Sequence, residues 1–285
     1  MHDLRFPDEV NRAKLQSTEL RIPLETAQTV GGHDLSLAAS PVAPLKIEIS
    51  LLGTFGVRVG GEILDGVSMG SQRLLAFLAL RDRAVDRIAL AGSMWPRASD
   101  HRAGASLRSA ISRLDDGSRE AILVASAGLR LAALVGVDLR DSQALAHRIL
   151  QPGATSTEAD LSSAAVGALS GELLPDWYDD WVLLEAEDWR QLRVSALEEQ
   201  ARLLTAAGRL AGAAGAARAA MRAEPLRETA HASLVRVHMA EGNQSEALRV
   251  FDRYRTLLVN ELGLEPTTLL EELVAGIQNR GKWTR

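Results

Sequence analysis

The 285-residue sequence contains no cysteine, which excludes disulfide bonds, a thiolate nucleophile and a zinc site with cysteine ligands. It has no apolar run near the ~18 residues of a membrane-spanning helix, and its start lacks the apolar core of a signal peptide. We therefore expect a cytoplasmic protein without a membrane partner. Hydrophobic residues make up 46% and charged residues 24% of the chain, as in ordinary globular proteins, and the length suffices for about two domains.

Common catalytic motifs are also missing from the sequence. It contains no P-loop, zinc-protease motif or dinucleotide-binding motif, and no acidic pattern of a phosphorylatable receiver. His231 and His238 lie seven residues apart without carboxylates at metal-binding spacing, so we do not expect a zinc site. The sequence therefore predicts a protein that is not an enzyme and that needs no cofactor or metal.

The net charge of −5 is unevenly distributed along the chain. Residues 46–135 carry 12 Lys and Arg against 9 Asp and Glu, a balance of +3, whereas residues 1–45 carry −2 and residues 136–285 carry −6. This local excess is modest. It permits binding to nucleic acid without indicating it.

The pattern along the chain divides it into a lead and two folded parts. Residues 1–44 contain a Gly, Ala, Ser and Pro stretch typical of a flexible lead, with a short helix possible near Phe6–Leu20. Alternating apolar residues from Lys46 predict a small antiparallel sheet. Helices are predicted over 71–81, capped by Ser71, over 87–95 and over 100–114, and the two apolar runs in 121–134 predict a hairpin.

The third of these helices, DHRAGASLRSAISRL, has two different faces. At about 100° per residue an apolar stripe faces the core: Ala103, Leu107, Ala110, Ile111 and Leu114. The opposite face carries Arg102, Ser106, Ser109 and Arg113, with Arg108 on its flank. Asp100 is predicted to cap the N-terminus. A slim face of Arg and Ser suits the DNA major groove, while the alternative is an ordinary solvated helix face.

Several short motifs accompany the order of sheet, three helices and hairpin: Leu51-Leu52-Gly53, Gln72-Arg73 with Leu75 and Leu78, Leu90 with Met94-Trp95-Pro96, and Arg102 with Leu107-Arg108 and Ile111-Ser112-Arg113-Leu114. In this order they resemble the OmpR/PhoB-type winged helix of the Streptomyces antibiotic regulatory proteins. The resemblance implies that the third helix enters the major groove, and that the hairpin contacts the minor groove or the backbone.

The same resemblance implies roles for particular residues. It implies base recognition by Arg102, Ser106, Ser109 and Arg113, a phosphate contact from Arg108 and a hairpin contact from Arg130. It also implies a loop that contacts RNA polymerase, formed by Pro96, Arg97, Ala98, Ser99 and Asp100, and binding to direct repeats as a side-by-side homodimer. Asp115-Asp116 stand where relatives usually carry basic residues.

The C-terminal half is helical and alanine-rich, and it repeats with a period of 34 residues. Gly208 aligns with Gly242, and Ala213 aligns with Ala247. A spacing of 34 residues is the period of tetratricopeptide helix pairs. Residues 137–277 also resemble the bacterial transcriptional activator domain, through GELLPDWYDDWVLLEAEDWR, AEPLRETAHASLVRVHMAEGNQSEALRVFDRYR and LVNELGLEPTTLLEEL in this order. The expected domains are 45–135, a winged helix, and 137–277, a tetratricopeptide-like helical repeat, with a tail at 278–285.

Other conspicuous side chains of this half are interpreted as structural. Trp177, Trp181 and Trp189, placed on one helical stretch, favour packing over a ligand box. Arg227-Glu228 and Glu241 favour structural ion pairs or a solvated face over an effector surface.

The sequence thus predicts an α+β winged helix followed by an all-α repeat domain, in a transcriptional activator that binds double-stranded DNA and RNA polymerase. One alternative is a helical-repeat adaptor whose winged helix binds protein, consistent with Asp115-Asp116 and the net charge of −5. Another is a ligand-sensing repressor with its pocket in the concave face of the repeat.

Overall fold

The structure is a computed structural model that describes residues 46–153 and 156–280, with side chains through residue 277. The expected lead at 1–44 and residues 281–285 of the expected tail lie outside these ranges. The strands are β1 (Ile47–Ser50), β2 (Gly56–Val59), β3 (Glu62–Ile63), β4 (Ile122–Ala125), β5 (Gly128–Leu131) and β6 (Gly136–Val137). The helices are α1 (Met69–Ala79), α2 (Arg87–Met94), α3 (Asp100–Ser112), α4 (Asp116–Arg119), α5 (Asp138–Leu150), α6 (Ser163–Ser170), α7 (Asp180–Ala206), α8 (Leu210–Ala223), α9 (Glu228–Ala240), α10 (Gln244–Leu262) and α11 (Thr268–Arg280).

The first sheet has the strand order β3-β2-β1-β6. β1 and β2 pair antiparallel, as the alternating pattern predicts, with Ile47 opposite Val59. The sheet is not purely antiparallel as predicted, because β6 joins β1 in parallel. Ile47 and Ile49 on β1 are buried because strand residues two apart share the core face. The β2–β3 turn uses Gly60 and Gly61, both with positive φ (62° and 92°).

Helix α1 begins two residues earlier than predicted, and Ser71 is not its cap. Ser68 caps the helix by accepting a hydrogen bond from the Ser71 backbone N–H. The Ser71 hydroxyl is buried instead and donates to the carbonyl of Ala110 at 2.8 Å, which ties α1 to α3. α2 begins as predicted, with Asp86 accepting from the N–H groups of Ile88 and Ala89.

The prediction that Asp100 caps α3 is wrong. Ser99 holds the N-cap position without a side-chain hydrogen bond, and Asp100 is the first helical residue. The negative charge of Asp100 still stabilises α3 through its interaction with the helix dipole. The predicted core stripe is confirmed: Ala103, Leu107, Ala110 and Leu114 are buried, and Ile111 is half-buried.

Strands β4 and β5 form the predicted hairpin, with Ile122 opposite Leu131 and the turn at residues 126–127. Val85 in the α1–α2 connection is bonded to Leu129 of the hairpin in both directions, at 2.8 and 2.9 Å. Gly128 has a φ of 129°, and a Cβ there would lie 1.9 Å from the carbonyl oxygen of Val85. Glycine is therefore required where the hairpin meets this connection.

The 34-residue repeat has the geometry that the sequence predicts. Gly208 and Gly242 end α7 and α9 with φ of 71° and 74°, in the left-handed region that glycine favours. The following residues donate to equivalent carbonyls, Arg209 to Leu204 at 2.9 Å and Asn243 to His238 at 2.8 Å. Ala213 and Ala247 are fully buried, which allows close packing within the helix pairs.

The sheet-containing half and the helical half meet where the β1–β2 connection contacts the start of α5 and the loop of residues 171–179, which connects α6 to α7. The carboxylate of Asp138, at the start of α5, accepts hydrogen bonds from the N–H groups of Leu51 (2.8 Å) and Leu52 (3.2 Å). Gly53 donates its N–H to the carbonyl of Glu172 at 2.7 Å. These hydrogen bonds join the two halves. They satisfy backbone N–H and C=O groups that would otherwise be left to water.

The three tryptophans are packing residues, but they do not share one helix. Trp177 lies in the loop before α7, which corrects the single helical stretch predicted for it. Trp181 is buried, with its ring centroid 5.1 Å from that of Phe77 and 6.3 Å from that of Trp177. Trp189 is also buried and donates its indole N–H to the carbonyl of Gly171 at 2.8 Å.

Arg227, Glu228 and Glu241 each bind another residue of the helical half. Arg227 donates to the Glu198 carboxylate at 2.9 and 3.1 Å, and Glu228 accepts from the Thr267 N–H at 2.9 Å. Glu241 accepts from His238 at 2.8 Å. Within the described ranges, no helix is both long enough and apolar enough to cross a lipid bilayer.

Candidate nucleic-acid interface

Helix α3 presents the predicted face of arginine and serine to solvent. Arg102, Arg108 and Arg113 are exposed, while Ser106 and Ser109 are half-buried between them. None of the three arginine side chains has a hydrogen bond or an ion pair to another residue in the described part of the chain. These guanidinium groups are available to a partner from outside.

The packing of the opposite face fixes this orientation. Ala103, Leu107 and Ala110 are each less than 5% exposed where α3 packs against α1 and α2. The Ser71–Ala110 hydrogen bond prevents rotation of α3 about its own axis. A quarter-turn would bury arginine and expose leucine, and both changes are costly.

Arg108 lies on the flank of this face, with its guanidinium directed toward the start of the helix. Its Nη1 atom would be 3.6 Å from a Cβ built on Gly104, so the long side chain runs over the glycine. Long helical side chains generally point toward the N-terminus in this way. The missing side chain at residue 104 leaves this part of the helix thin.

The β4–β5 hairpin contributes Arg130, which is exposed and pairs across the hairpin with Leu123. Between the hairpin and α3 lies a cleft of about 380 Å³, lined by Arg87, Arg108 and Arg119 together with apolar side chains. Sequence reasoning missed Arg87 and Arg119. Arg87 could have been found from the sequence, because it directly follows Asp86, which caps α2.

Arg119 has a structural role. Its guanidinium donates to the carbonyl oxygens of Ser112 (3.3 Å) and Leu114 (2.7 Å), so it satisfies backbone groups at the C-terminus of α3. Asp115 is engaged in the same way, as the cap of α4, and accepts the Ser118 N–H at 2.8 Å. Of the acidic pair, Asp116 remains exposed, 3.5 Å from Arg119.

The loop before α3 is exposed except at its centre. Pro96, Arg97 and Ser99 are exposed, as is Asp100 in the first helical turn. Ala98 is half-buried and donates its N–H to the carbonyl of Trp95 at 3.0 Å. The loop therefore has a defined shape and four side chains that solvent can reach.

Residues 137–278 match the family described as "Bacterial transcriptional activator domain". The chain is also 30% identical over 237 residues to the regulatory protein AfsR of Streptomyces coelicolor, and 30% identical over 246 residues to AfsR of Streptomyces griseus. These alignments cover 80% and 82% of this chain and 24% of each AfsR. The chain thus spans about a quarter of the length of these relatives.

Among solved structures, the chain is similar to Mycobacterium tuberculosis EmbR, solved in complex with a low-affinity phosphopeptide. The TM-score is 0.62 at 24% sequence identity, with coverage of 83% of this chain and 66% of EmbR. This likeness shows a common fold. The family match covers the helical half of the chain, and both relatives are named regulatory proteins.

Proposed function

We propose that this chain is a sequence-specific DNA-binding transcriptional activator, in which residues 45–135 act as an OmpR/PhoB-type winged helix. The observation that carries the proposal is the outer face of α3, where Arg102, Arg108 and Arg113 are exposed and unpaired with other described residues. Arginine binds guanine O6 and N7 in bidentate fashion in the major groove. The proposal assigns the chain to the cytoplasm, without enzymatic activity or a cofactor.

The side chains of α3 and the hairpin then divide into two roles. Arg102 and Arg113, with Ser106 and Ser109, contact base edges and give sequence specificity. Arg108 on the flank of α3 and Arg130 on the hairpin contact phosphates and give affinity without specificity.

Activation requires a contact to the transcription machinery in addition to DNA. We assign this contact to the loop Pro96–Asp100, whose exposed side chains lie directly before α3. The chain binds direct repeats as a side-by-side homodimer, so that two copies present this loop on the same promoter. The similarity to AfsR and the activator-domain match support a role in transcription.

The first experiment measures DNA binding by fluorescence anisotropy on a site selected from genomic fragments. Arg102→Ala and Arg113→Ala should each cost about 1–3 kcal/mol on that site and relax the preference at one base position. Arg108→Ala should weaken binding to specific and random DNA alike, and lower the slope of log affinity against log salt by about one.

Arg218→Ala is the matched control, because Arg218 is an exposed arginine on α8 without an ion pair to the described residues. It should leave DNA affinity unchanged. Equal losses on specific and random DNA for Arg102→Ala and Arg108→Ala would refute the division into base and phosphate contacts. Absence of salt-dependent binding to any duplex would refute the proposal and favour the adaptor function.

The second experiment separates activation from binding. Arg97→Ala should keep the wild-type affinity for promoter DNA and reduce the transcript made by purified RNA polymerase several-fold, because only the polymerase contact is lost. A parallel loss of DNA binding, or an unchanged transcript, would contradict the role assigned to the loop. Repression by the wild-type chain in this assay would contradict the activator proposal.

A further inference from the structure

The loop of residues 171–179 forms one wall of a cleft of about 330 Å³ whose opposite wall is the first half of α7. This volume lies at the lower end of the range for small-molecule sites. The cleft is separate from the α3 face. The residues that matter for its chemistry are Glu172, Leu174, Tyr178, Leu183, Arg190 and Arg193.

Arg193 places an incompletely neutralised cation beside this cleft. Its side chain is only 4% exposed, and its Nη1 donates to the carbonyl of Ser170 at 2.8 Å. The other edge of the guanidinium, formed by Nε and Nη2, is poorly used. Nε has no hydrogen-bond partner among the described residues, and Nη2 lies 3.6 Å from the Glu172 carboxylate.

Glu172 is a weak counter-ion for this arginine, because its side chain is 61% exposed and solvated by water. Burial lowers the pKa of Arg193, as expected for a cation with little compensation, although arginine stays charged in proteins. A buried charge of this kind is stabilised by a close carboxylate that satisfies its free N–H groups.

The second arginine of the cleft is different, because its charge is already compensated. Arg190 donates to both oxygens of Glu187, at 2.6 to 2.9 Å, and also pairs with Glu224. Glu187 accepts a further bond from Gln191, so its own charge is also engaged. Arg193 is therefore the cationic group of this cleft that still lacks a close carboxylate.

The remaining lining is apolar and aromatic, and part of it is exposed. Tyr178 is 81% exposed and Leu183 is 50% exposed, both adjacent to the cleft. Exposed apolar side chains around a cavity that contains few polar groups are typical of ligand sites.

The backbone of the loop is also unusual at this point. Leu174 has a φ of 41°, a conformation that residues other than glycine rarely adopt. It is held there because its N–H donates to the carbonyl of Leu51 and its own carbonyl accepts from Trp177, both at 3.0 Å. Such outliers cluster at ligand clamps and active sites.

We propose that this cleft binds a small aromatic carboxylate. The carboxylate replaces Glu172 at the Nε–Nη2 edge of Arg193 in bidentate fashion, and the aromatic ring lies against Tyr178 and Leu183. A bidentate pair needs two N–H groups on one edge of the guanidinium, which this edge supplies. The ligand would contact the same loop that is hydrogen-bonded to the β1–β2 connection at Leu51 and Gly53.

The test uses the full chain, with phenylacetate and indole-3-acetate as probes and phenylacetamide as the neutral comparison, followed by ligand-observed NMR and calorimetry. Both carboxylates should bind, and the amide should bind about tenfold more weakly because it lacks the charge. Glu172→Gln should tighten carboxylate binding several-fold by removing the competing carboxylate, and Tyr178→Ala should weaken it.

Glu158→Gln is the matched control for charge removal, because Glu158 is an exposed carboxylate paired with Arg209 on a different surface. It should leave binding unchanged. Absence of carboxylate binding at millimolar concentration would overturn the proposal, as would equal binding of phenylacetate and phenylacetamide. Affinities that do not respond to Glu172→Gln and Tyr178→Ala would overturn it as well, and both residues are exposed enough that neither substitution should unfold the chain.

Discussion

At the scale of single residues, His231 shows how burial selects one protonation state. The ring is 5% exposed, its centroid lies 4.3 Å from that of Tyr254, and Nε2 bonds the carbonyl of Pro225 at 2.8 Å. A carbonyl accepts only, so Nε2 carries the proton. Nδ1 is buried without a partner among the described residues. Protonation of Nδ1 would add a buried N–H without an acceptor.

Burial lowers the pKa of His231. This lowering is larger than the rise in pKa caused by the Pro225 carbonyl and the Glu228 carboxylate. The unfolded chain, with a histidine pKa of about 6.5, then binds a proton more readily than the folded chain. We therefore predict that the free energy of unfolding decreases as the pH falls below about 6.5. Denaturant unfolding at several pH values measures this loss.

His231→Phe keeps the contact with Tyr254 and removes the titrating group, so this part of the pH dependence should vanish. His147→Gln changes an exposed histidine on α5 and should preserve it. An unaltered pH profile in His231→Phe would show that the acid sensitivity arises elsewhere.

At the scale of elements, the helix pairs depend on glycine at their turns and on alanine at their contacts. Gly208 and Gly242 hold a left-handed conformation, and a Cβ at either position would meet no atom within 4 Å. The requirement for glycine is therefore conformational and not steric. Gly215, inside α8, also has open space but a helical backbone, so it has no such requirement.

Substitution by alanine should have opposite effects on stability at these glycines. Gly208→Ala and Gly242→Ala should each destabilise the chain by about 1 kcal/mol, because alanine disfavours a positive φ. Gly215→Ala should stabilise it by about 0.5–1 kcal/mol, because alanine loses less backbone entropy in a helix. Thermal and denaturant unfolding of the three variants compares them directly, and a uniform sign would disprove the conformational explanation.

At the scale of the whole molecule, aromatic and ionic contacts join the sheet-containing half to the helical half. Trp181 on α7 packs edge-on against Phe77 on α1, and Phe55 lies 5.7 Å from Trp177 between ring centroids. Arg73 pairs with Asp179, and Arg81 pairs with Glu185 at 2.5 Å. The buried rings should contribute most of the stability, because partly exposed ion pairs are screened by water.

Truncation of the buried ring should therefore cost far more than removal of a charge. We predict that Trp181→Ala lowers the free energy of unfolding by about 3–5 kcal/mol. Glu185→Gln, which breaks the pair with Arg81, should lower it by less than about 1 kcal/mol. Denaturant unfolding followed by circular dichroism gives both values, and similar losses in the two variants would contradict the greater role of the rings.

Much of the α3 face was predictable because helix periodicity is a local property of the sequence. The spacing of Ala103, Leu107 and Ala110 determines which side is buried, and so which side carries Arg102 and Arg113. The helix caps were less predictable. Ser68, Ser71 and Ser99 all lie near helix starts, and only the backbone geometry and the distant Ala110 carbonyl decide which of them caps a helix.

The sequence by itself determined the buried stripes, the hairpin and the turns at Gly208 and Gly242, because each follows from interactions within a few residues or from conformational freedom at a single position. Only the tertiary structure decided that Trp177 lies outside α7 and that Arg193 faces a weak counter-ion beside a cleft. These features depend on which groups meet across long sequence separations, as Gly53 and Glu172 do. Packing of the whole chain selects such contacts, and no local pattern encodes them.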